Sequence, residues 1–350
     1  MALTRRSLAF GPAVLGLAAA LGPSRARAQD ACGSGQRLIV YHAGSLSAAF
    51  SRVEALFTQQ TGICVTDAAA GSLDAALRVT AGQEPCDIYA SADDADIDLL
   101  LKPAGVADYS IRFAQGAMVL AYTTDSRNAG TIAGPGTLAP PDAVPTVAAD
   151  WYAQLAQAGV VIGSSHPFLD PSGYRTDMIF QLAERAYSVP NLYDQLLQRL
   201  SVTKPFDALG RTFDYQFTYE HSAQAAYAAN PGTYRYARLP PAVGLSDPAR
   251  NRFYAEAAGV VVPGLRVPDA APFVRIPATR VRWGLTVLRN APNPAAAVRF
   301  LQLLLGLDGV AIQGETGPAP ISPARVSRAD YDRLPAPLQA LVGLGAPAIE

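Results

Sequence analysis

Twice within its first hundred residues this chain runs from a short apolar strand through a Gly-Ser pair into a helix. Residues 38–42 (Leu-Ile-Val-Tyr-His) read as a buried strand, and Ala43-Gly44-Ser45-Leu46 follows it. Leu46, Phe50, Val53, Leu56 and Phe57 then recur at helical spacing until Gly62 ends the helix. Residues 63–66 form a second strand, and Ala70-Gly71-Ser72-Leu73 leads into a short helix over 73–79. A third strand over 87–90 and a helix over 94–101 continue the pattern. Strands that alternate with helices build a mostly parallel sheet with helices on both faces, so the fold class is α/β.

The alternation continues through a strand at 118–123 and then breaks. Residues 128–145 carry four prolines and three glycines and read as a loop. A second α/β region follows: a strand at 160–162, a helix over about 173–187, and strands around 213–219 and 258–262. Residues 229–250 read as Pro- and Gly-bearing connections. A strand at 281–287 and a helix over 294–305 close the pattern. The 350 residues exceed the ~100–200 of one domain, so two lobes are expected. The first takes 29–124, the second 125–279, and 280–350 returns to complete the first.

Residues 1–28 stand apart. Arg5 and Arg6 precede an apolar run from Leu8 to Leu21, and Ala26-Arg27-Ala28 offers a small-residue cleavage site. This is the pattern of an export signal, and the run is shorter than the ~20 residues a membrane span needs. Thr4-Arg5-Arg6-Ser7-Leu8 also fits a twin-arginine signal, leaving both export routes open. The expected product is soluble and periplasmic. Removing 1–28 takes away four arginines and no acids, moving the formal charge from -1 to -5. An oxidising compartment would permit one disulfide among Cys32, Cys64 and Cys86, without choosing the pair.

With half the residues apolar and 16% charged, the chain is not a disordered polyelectrolyte. No basic block offers a phosphate-binding surface, so no nucleic-acid partner is expected. Of 28 basic residues only Lys102 and Lys204 are lysines.

The paired turns carry the functional signal. Glycines such as Gly44 and Gly71 let a ligand approach the backbone, and Ser45 and Ser72 offer hydroxyls. Two helix starts beyond a parallel sheet make an oxyanion site without a cationic side chain. The alternative is that each serine only caps its helix. A third helix start, Asp170-Pro171-Ser172-Gly173-Tyr174-Arg175, places Asp170 either at a ligand or as a cap, with Gly173 and Tyr174 beside it. Thr218, Glu220 and His221 lie at the end of a late strand, in Phe217-Thr218-Tyr219-Glu220-His221.

Other chemistries use the same residues. His42, His166 and His221, with Asp170 or Glu220, could hold Zn²⁺ or another transition metal, although no His-x-x-x-His spacing supports it. Ser45, His221 and Asp170 could form a hydrolase triad, but no Gly-x-Ser-x-Gly elbow surrounds Ser45. Neither Gly-Ser turn is a phosphate loop, and Cys64 and Cys86 lack Cys-x-x-Cys spacing. A binding protein without cofactor is therefore expected, not an enzyme. Sulfate, phosphate and organic anions remain alternative ligands.

Seven runs resemble the periplasmic tungstate- and molybdate-binding proteins of the archaeal-type branch. They are His42-Ala43-Gly44-Ser45-Leu46, Ala70-Gly71-Ser72, Asp87-Ile88-Tyr89-Ala90-Ser91-Ala92-Asp93, Asp170-Pro171-Ser172-Gly173-Tyr174-Arg175, Asp214-Tyr215-Gln216-Phe217-Thr218-Tyr219, Asn290-Ala291-Pro292-Asn293-Pro294 and Tyr331-Asp332-Arg333-Leu334-Pro335. They keep their order from about residue 38 to 343. The resemblance implies a type II periplasmic-binding fold, two lobes joined by two crossing strands that close on an oxyanion. It implies a monomer that delivers the anion to a membrane permease and ATPase of an ABC importer. Ser45 and Ser72 would bind oxyanion oxygens, and Asp170 would supply a carboxylate toward the metal centre. The family's second carboxylate, a Glu between Phe and Tyr, is here Thr218, with Glu220 two residues on. That departure puts six-coordinate binding in doubt and leaves room for a tetrahedral anion held by hydrogen bonds.

Overall fold

A computed structural model describes residues 35–80, 84–135, 144–202, 209–268 and 270–345. Residues 1–28, read above as an export signal, Cys32 and Lys204 lie outside the described residues. Two sheets organise the rest. The larger takes β1 (Arg37–Ala43), β2 (Cys64–Ala70), β3 (Ile88–Ser91), β4 (Ile111–Gln115), β12 (Arg282–Val287), β13 (Ala319–Val326) and β14 (Val342–Leu344), in the order β14-β13-β4-β12-β3-β1-β2. The smaller takes β5 (Met118–Thr123), β6 (Ile162–Ser164), β7 (Leu200–Val202), β8 (Tyr215–Tyr219) and β9 (Tyr234–Arg238), in the order β7-β6-β8-β5-β9. A separate antiparallel pair is formed by β10 (Gly259–Pro263) and β11 (Phe273–Pro277).

Pairing is parallel where strand and helix alternate locally, at β1 with β2 and β3 and at β6 with β7 and β8. It is antiparallel where chain crosses from the other sheet: β12 between β3 and β4, and β5 between β8 and β9. Each sheet is therefore mixed. The strand at 118–123 belongs to the smaller sheet, so the chain leaves the larger one between Gln115 and Met118 rather than after 124. The returning segment runs alongside: the Gly116 N–H donates to Val281 O (3.1 Å) and the Val281 N–H to Leu245 O (2.8 Å).

The helices follow their sequence signals. Helix α1 (Ser47–Thr61) ends at Gly62, whose φ of 68° is the left-handed cap that only glycine adopts without strain. It buries Phe50 and Phe57 against Phe300 of the late helix Pro294–Leu305, with ring centroids 6.1 and 5.4 Å apart. Helix α2 (Ser72–Thr80) packs on β1 and β3. Helix α3 (Pro171–Tyr187) opens with Asp170 accepting from the Ser172 N–H, and Pro171 occupies the first turn, where it sacrifices no bond. Helix α4 (Glu220–Ala229) begins directly where β8 stops. No single described helix is long and apolar enough to cross a membrane.

One buried ion pair fastens the returning chain: Arg282 Nε, at the start of β12, lies 3.1 Å from Asp94. Among the cysteines, Cys64 is disulfide-bonded, and Cys86 is a free, buried thiol that burial pushes up to about 12.

Candidate functional site

Where the C-terminal ends of β1, β2 and β3 face β8, a cavity of about 300 Å³ opens. Gly44, Ser45, Ala69, Ala70 and Ala92 line it from the larger sheet. Asp170, Ser172, Gln216, Thr218, Tyr219 and Ser222 line it from the other side. The wall holds four hydroxyls on Ser and Thr, one amide and one carboxylate. None of these lining residues carries a cationic side chain.

Ser45 is set as a donor. The indole N–H of buried Trp283 donates to its Oγ (3.0 Å), so the Ser45 hydroxyl hydrogen is left to point elsewhere. Ser45 sits in a 3₁₀ turn (Gly44–Leu46) whose start has no side-chain cap. Helix α4, opposite, also starts without a side-chain cap.

The second Gly-Ser turn is used differently. The Ser72 Oγ accepts from the Ala92 N–H (3.0 Å), and the side chain is buried rather than in the cavity wall. Gly71 is a point of contact between lobes: a Cβ there would lie 2.3 Å from Leu169 O. The Asp74 N–H in the first turn of α2 donates to that same carbonyl (3.1 Å). The start of α2 is thus closed by protein, not by the cavity.

Asp170 caps α3 through Oδ1 (2.9 Å to Ser172 N) and also lines the cavity. Burial holds its carboxyl above the usual carboxylate range, against hydrogen bonds from Ser172 and Ser165 that lower it. Gly173 is a packing residue, since a Cβ would meet Ser165 O at 2.4 Å. Tyr174 does not reach the cavity wall. Its hydroxyl donates to Asp93 Oδ2 (2.7 Å), with Asp96 Oδ1 3.2 Å away. Arg175, also buried, donates to Ala92 O (2.6 Å) and Tyr219 OH (2.9 Å) and lies 3.1 Å from Asp93. These bonds join α3 to the segment after β3 across the cleft. Burial, then the neighbouring Asp93, push the Asp96 carboxyl well above the usual carboxylate range.

On β8, Thr218 and Gln216 share the cavity-facing side, as the period of two requires. Gln216 is buried, and its Oε1 has no hydrogen-bond partner among the described residues. Glu220 does not stand in for the family carboxylate. The strand ends at Tyr219, and Glu220, now the first residue of a helix, is bonded by Arg238 Nε (2.6 Å). Ser222, in the same first turn, lines the cavity instead. Gln216, Ser172 and Ser222 are polar wall residues that the sequence reading did not propose. Alternation from Thr218 points to the first, and helix-start position to the other two.

The three histidines do not meet. His42 packs under α1, 5.0 Å from the Phe50 ring. His166 accepts from the Phe168 N–H (3.1 Å). His221 donates through Nε2 to the Ser45 carbonyl (2.9 Å) and stacks between Tyr219 and Trp283. Burial depresses His221 to about 4, so it is neutral at physiological pH. With His221 on the carbonyl rather than the hydroxyl of Ser45, and Asp170 on its own helix, no Ser-His-Asp relay forms.

Over residues 38–317 the chain matches the family described as bacterial extracellular solute-binding protein. An uncharacterized solute-binding protein of Petrotoga mobilis is 31% identical over 297 residues, spanning 82% of this chain and 84% of the relative. The molybdate/tungstate-binding protein WtpA of Pyrococcus abyssi is 30% identical over 307 residues, spanning 78% and 81%. Among solved structures, the periplasmic molybdate-binding protein of Azotobacter vinelandii superposes with a TM-score of 0.52 at 18% identity, covering 80% of this chain and 98% of that one. The sulfate-binding protein SubI of Mycobacterium tuberculosis gives 0.55 at 14%, covering 88% and 94%. At such identities the structural likeness speaks for the type II periplasmic-binding fold alone.

Proposed function

We propose, from the premise that the chain belongs to the bacterial extracellular solute-binding protein family, that it captures molybdate or tungstate between its lobes and delivers it to a membrane permease driven by a separate ATPase. The observation that carries this reading is the cavity wall: neutral hydroxyls, an amide and one carboxylate, two helix starts without a side-chain cap, and no cationic side chain. Such a wall binds an anion through fixed dipoles instead of a counter-charge. A volume of about 300 Å³ lies at the small end of ligand pockets, roughly 300–1,000 Å³, which suits an inorganic anion.

Thr218 takes the position of the family's second carboxylate, which favours a tetrahedral anion held by hydrogen bonds. Burial raises the Asp170 carboxyl above the usual carboxylate range, the direction that lessens the charge it sets against a bound dianion. The lobes hinge about the crossings near 116–118 and 278–282. The segment at 1–28 and the disulfide-bonded Cys64 support a periplasmic location for this monomer.

Thermal unfolding of the mature chain with molybdate, tungstate, sulfate and phosphate tests the reading. Molybdate or tungstate at about 100 times its Kd should stabilise by about 2.7 kcal/mol. Absence of a shift with any oxyanion would overturn it, and a shift with sulfate or phosphate alone would reassign the cargo.

A further inference from the structure

Away from the cleft, three potential metal ligands converge between α1 and the edge strand β2. We propose that His42, Glu54 and Asp67 form a site for one divalent transition-metal cation of the zinc type. Their ligand atoms all lie within 4.8 Å of one another. The site shares no lining residue with the oxyanion cavity.

Each ligand is brought there by its element. In the parallel pairing of β1 with β2, His42 faces Ala69 and Val40 faces Asp67, so His42 and Asp67 project from the same side of the sheet. That side is covered by α1, which contributes Glu54. The His42 Nδ1 lies 2.9 Å from Ala43 O, and a carbonyl can only accept, so Nδ1 carries the hydrogen. Nε2 is thereby turned toward the carboxylates, 3.4 Å from Asp67 Oδ2. A backbone acceptor that fixes the far nitrogen is the usual outer support of a metal-binding imidazole.

Glu54 supplies an independent indication. It is 8% exposed, and its Oε1 is buried with no hydrogen-bond partner among the described residues. Burying a carboxylate oxygen without a partner is costly, and a bound cation removes that cost. One imidazole and two carboxylates suit zinc. A cation about 2.1 Å from each atom needs them within about 3.5 Å of one another. The half-exposed Asp67 side chain can supply that closure. Glu54 and Asp67 also line an open cavity of about 730 Å³, which gives the ion a route in and leaves room for a water ligand.

The competing occupant is a proton shared within the cluster, and one experiment separates the two. Chelator-stripped mature protein is dialysed against Zn²⁺ and its metal content measured. The visible spectrum with Co²⁺ in place of Zn²⁺ is recorded alongside. One zinc per chain and a tetrahedral cobalt spectrum are expected. Glu54→Gln and the exposed Asp67→Asn should each lower zinc affinity tenfold or more, with the molybdate-induced shift in unfolding temperature unchanged. No stoichiometric zinc, or zinc held equally well by both variants, would overturn the site.

Discussion

Gln216 stands two residues before Thr218 on the cavity-facing side of β8, with a buried Oε1 that has no hydrogen-bond partner among the described residues. A bound oxyanion gives its amide a partner through the NH₂ group. Gln216→Ala should therefore weaken oxyanion binding by about 1–1.5 kcal/mol, roughly tenfold, while leaving the ligand-free unfolding temperature unchanged or raised. Calorimetric titration beside thermal unfolding reads both. His221 makes a pH prediction. Unfolded, an imidazole takes its proton near 6.5, whereas this one does so near 4. The unfolded chain therefore binds the extra proton between those values, and stability falls as pH drops through that window. His221→Gln should flatten this acid limb by up to about 3 kcal/mol in denaturant titrations. Ser45 and Asp170 were legible at this scale because a helix start and a polar side chain announce them together. Gln216 was not: a glutamine inside a strand signals nothing until the strand's facing is known.

Two Gly-Ser turns of like sequence open helices in this molecule, and their surroundings differ. Gly44-Ser45 opens onto the cavity, whereas the start of α2 donates to the Leu169 carbonyl of the opposite lobe. The sequence echo reveals the turn but not what the facing loop does with it. Gly71→Ala tests the closing role. Its Cβ would lie 2.3 Å from Leu169 O, so the loop before α3 must retreat. We expect at least a tenfold loss of oxyanion affinity, and a larger radius of gyration in small-angle scattering with ligand present. An unchanged affinity would mean that the loop yields without opening the cleft. Elements with apolar runs, such as β1, β5 and the helix Pro294–Leu305, were readable from spacing. Strand β9 was not, because its Tyr-Arg-Tyr-Ala-Arg run is only partly buried at the sheet edge. Strand β13, interrupted by prolines, was equally silent.

At the scale of the whole chain, two α/β lobes with a late return to the first were visible in the order of strands and helices. The mixed sheets were not, since local alternation cannot tell which strand arrives from the other lobe. A polar seam joins the lobes: Tyr174 and Arg175 against Asp93, Asp96 and Ala92 O. Such a seam can separate into water at lower cost than an apolar one, because its groups regain solvent as partners. Trp283 sits beside that seam, against Tyr219 and His221, with its indole N–H on Ser45. The only other tryptophan, Trp151, is buried in the second lobe, with its indole N–H on Tyr187. Ultraviolet emission should therefore change when oxyanion is added, in Trp151→Phe as in the parent, and stay constant in Trp283→Phe. The molecule carries its own optical gauge of whether the cleft is filled.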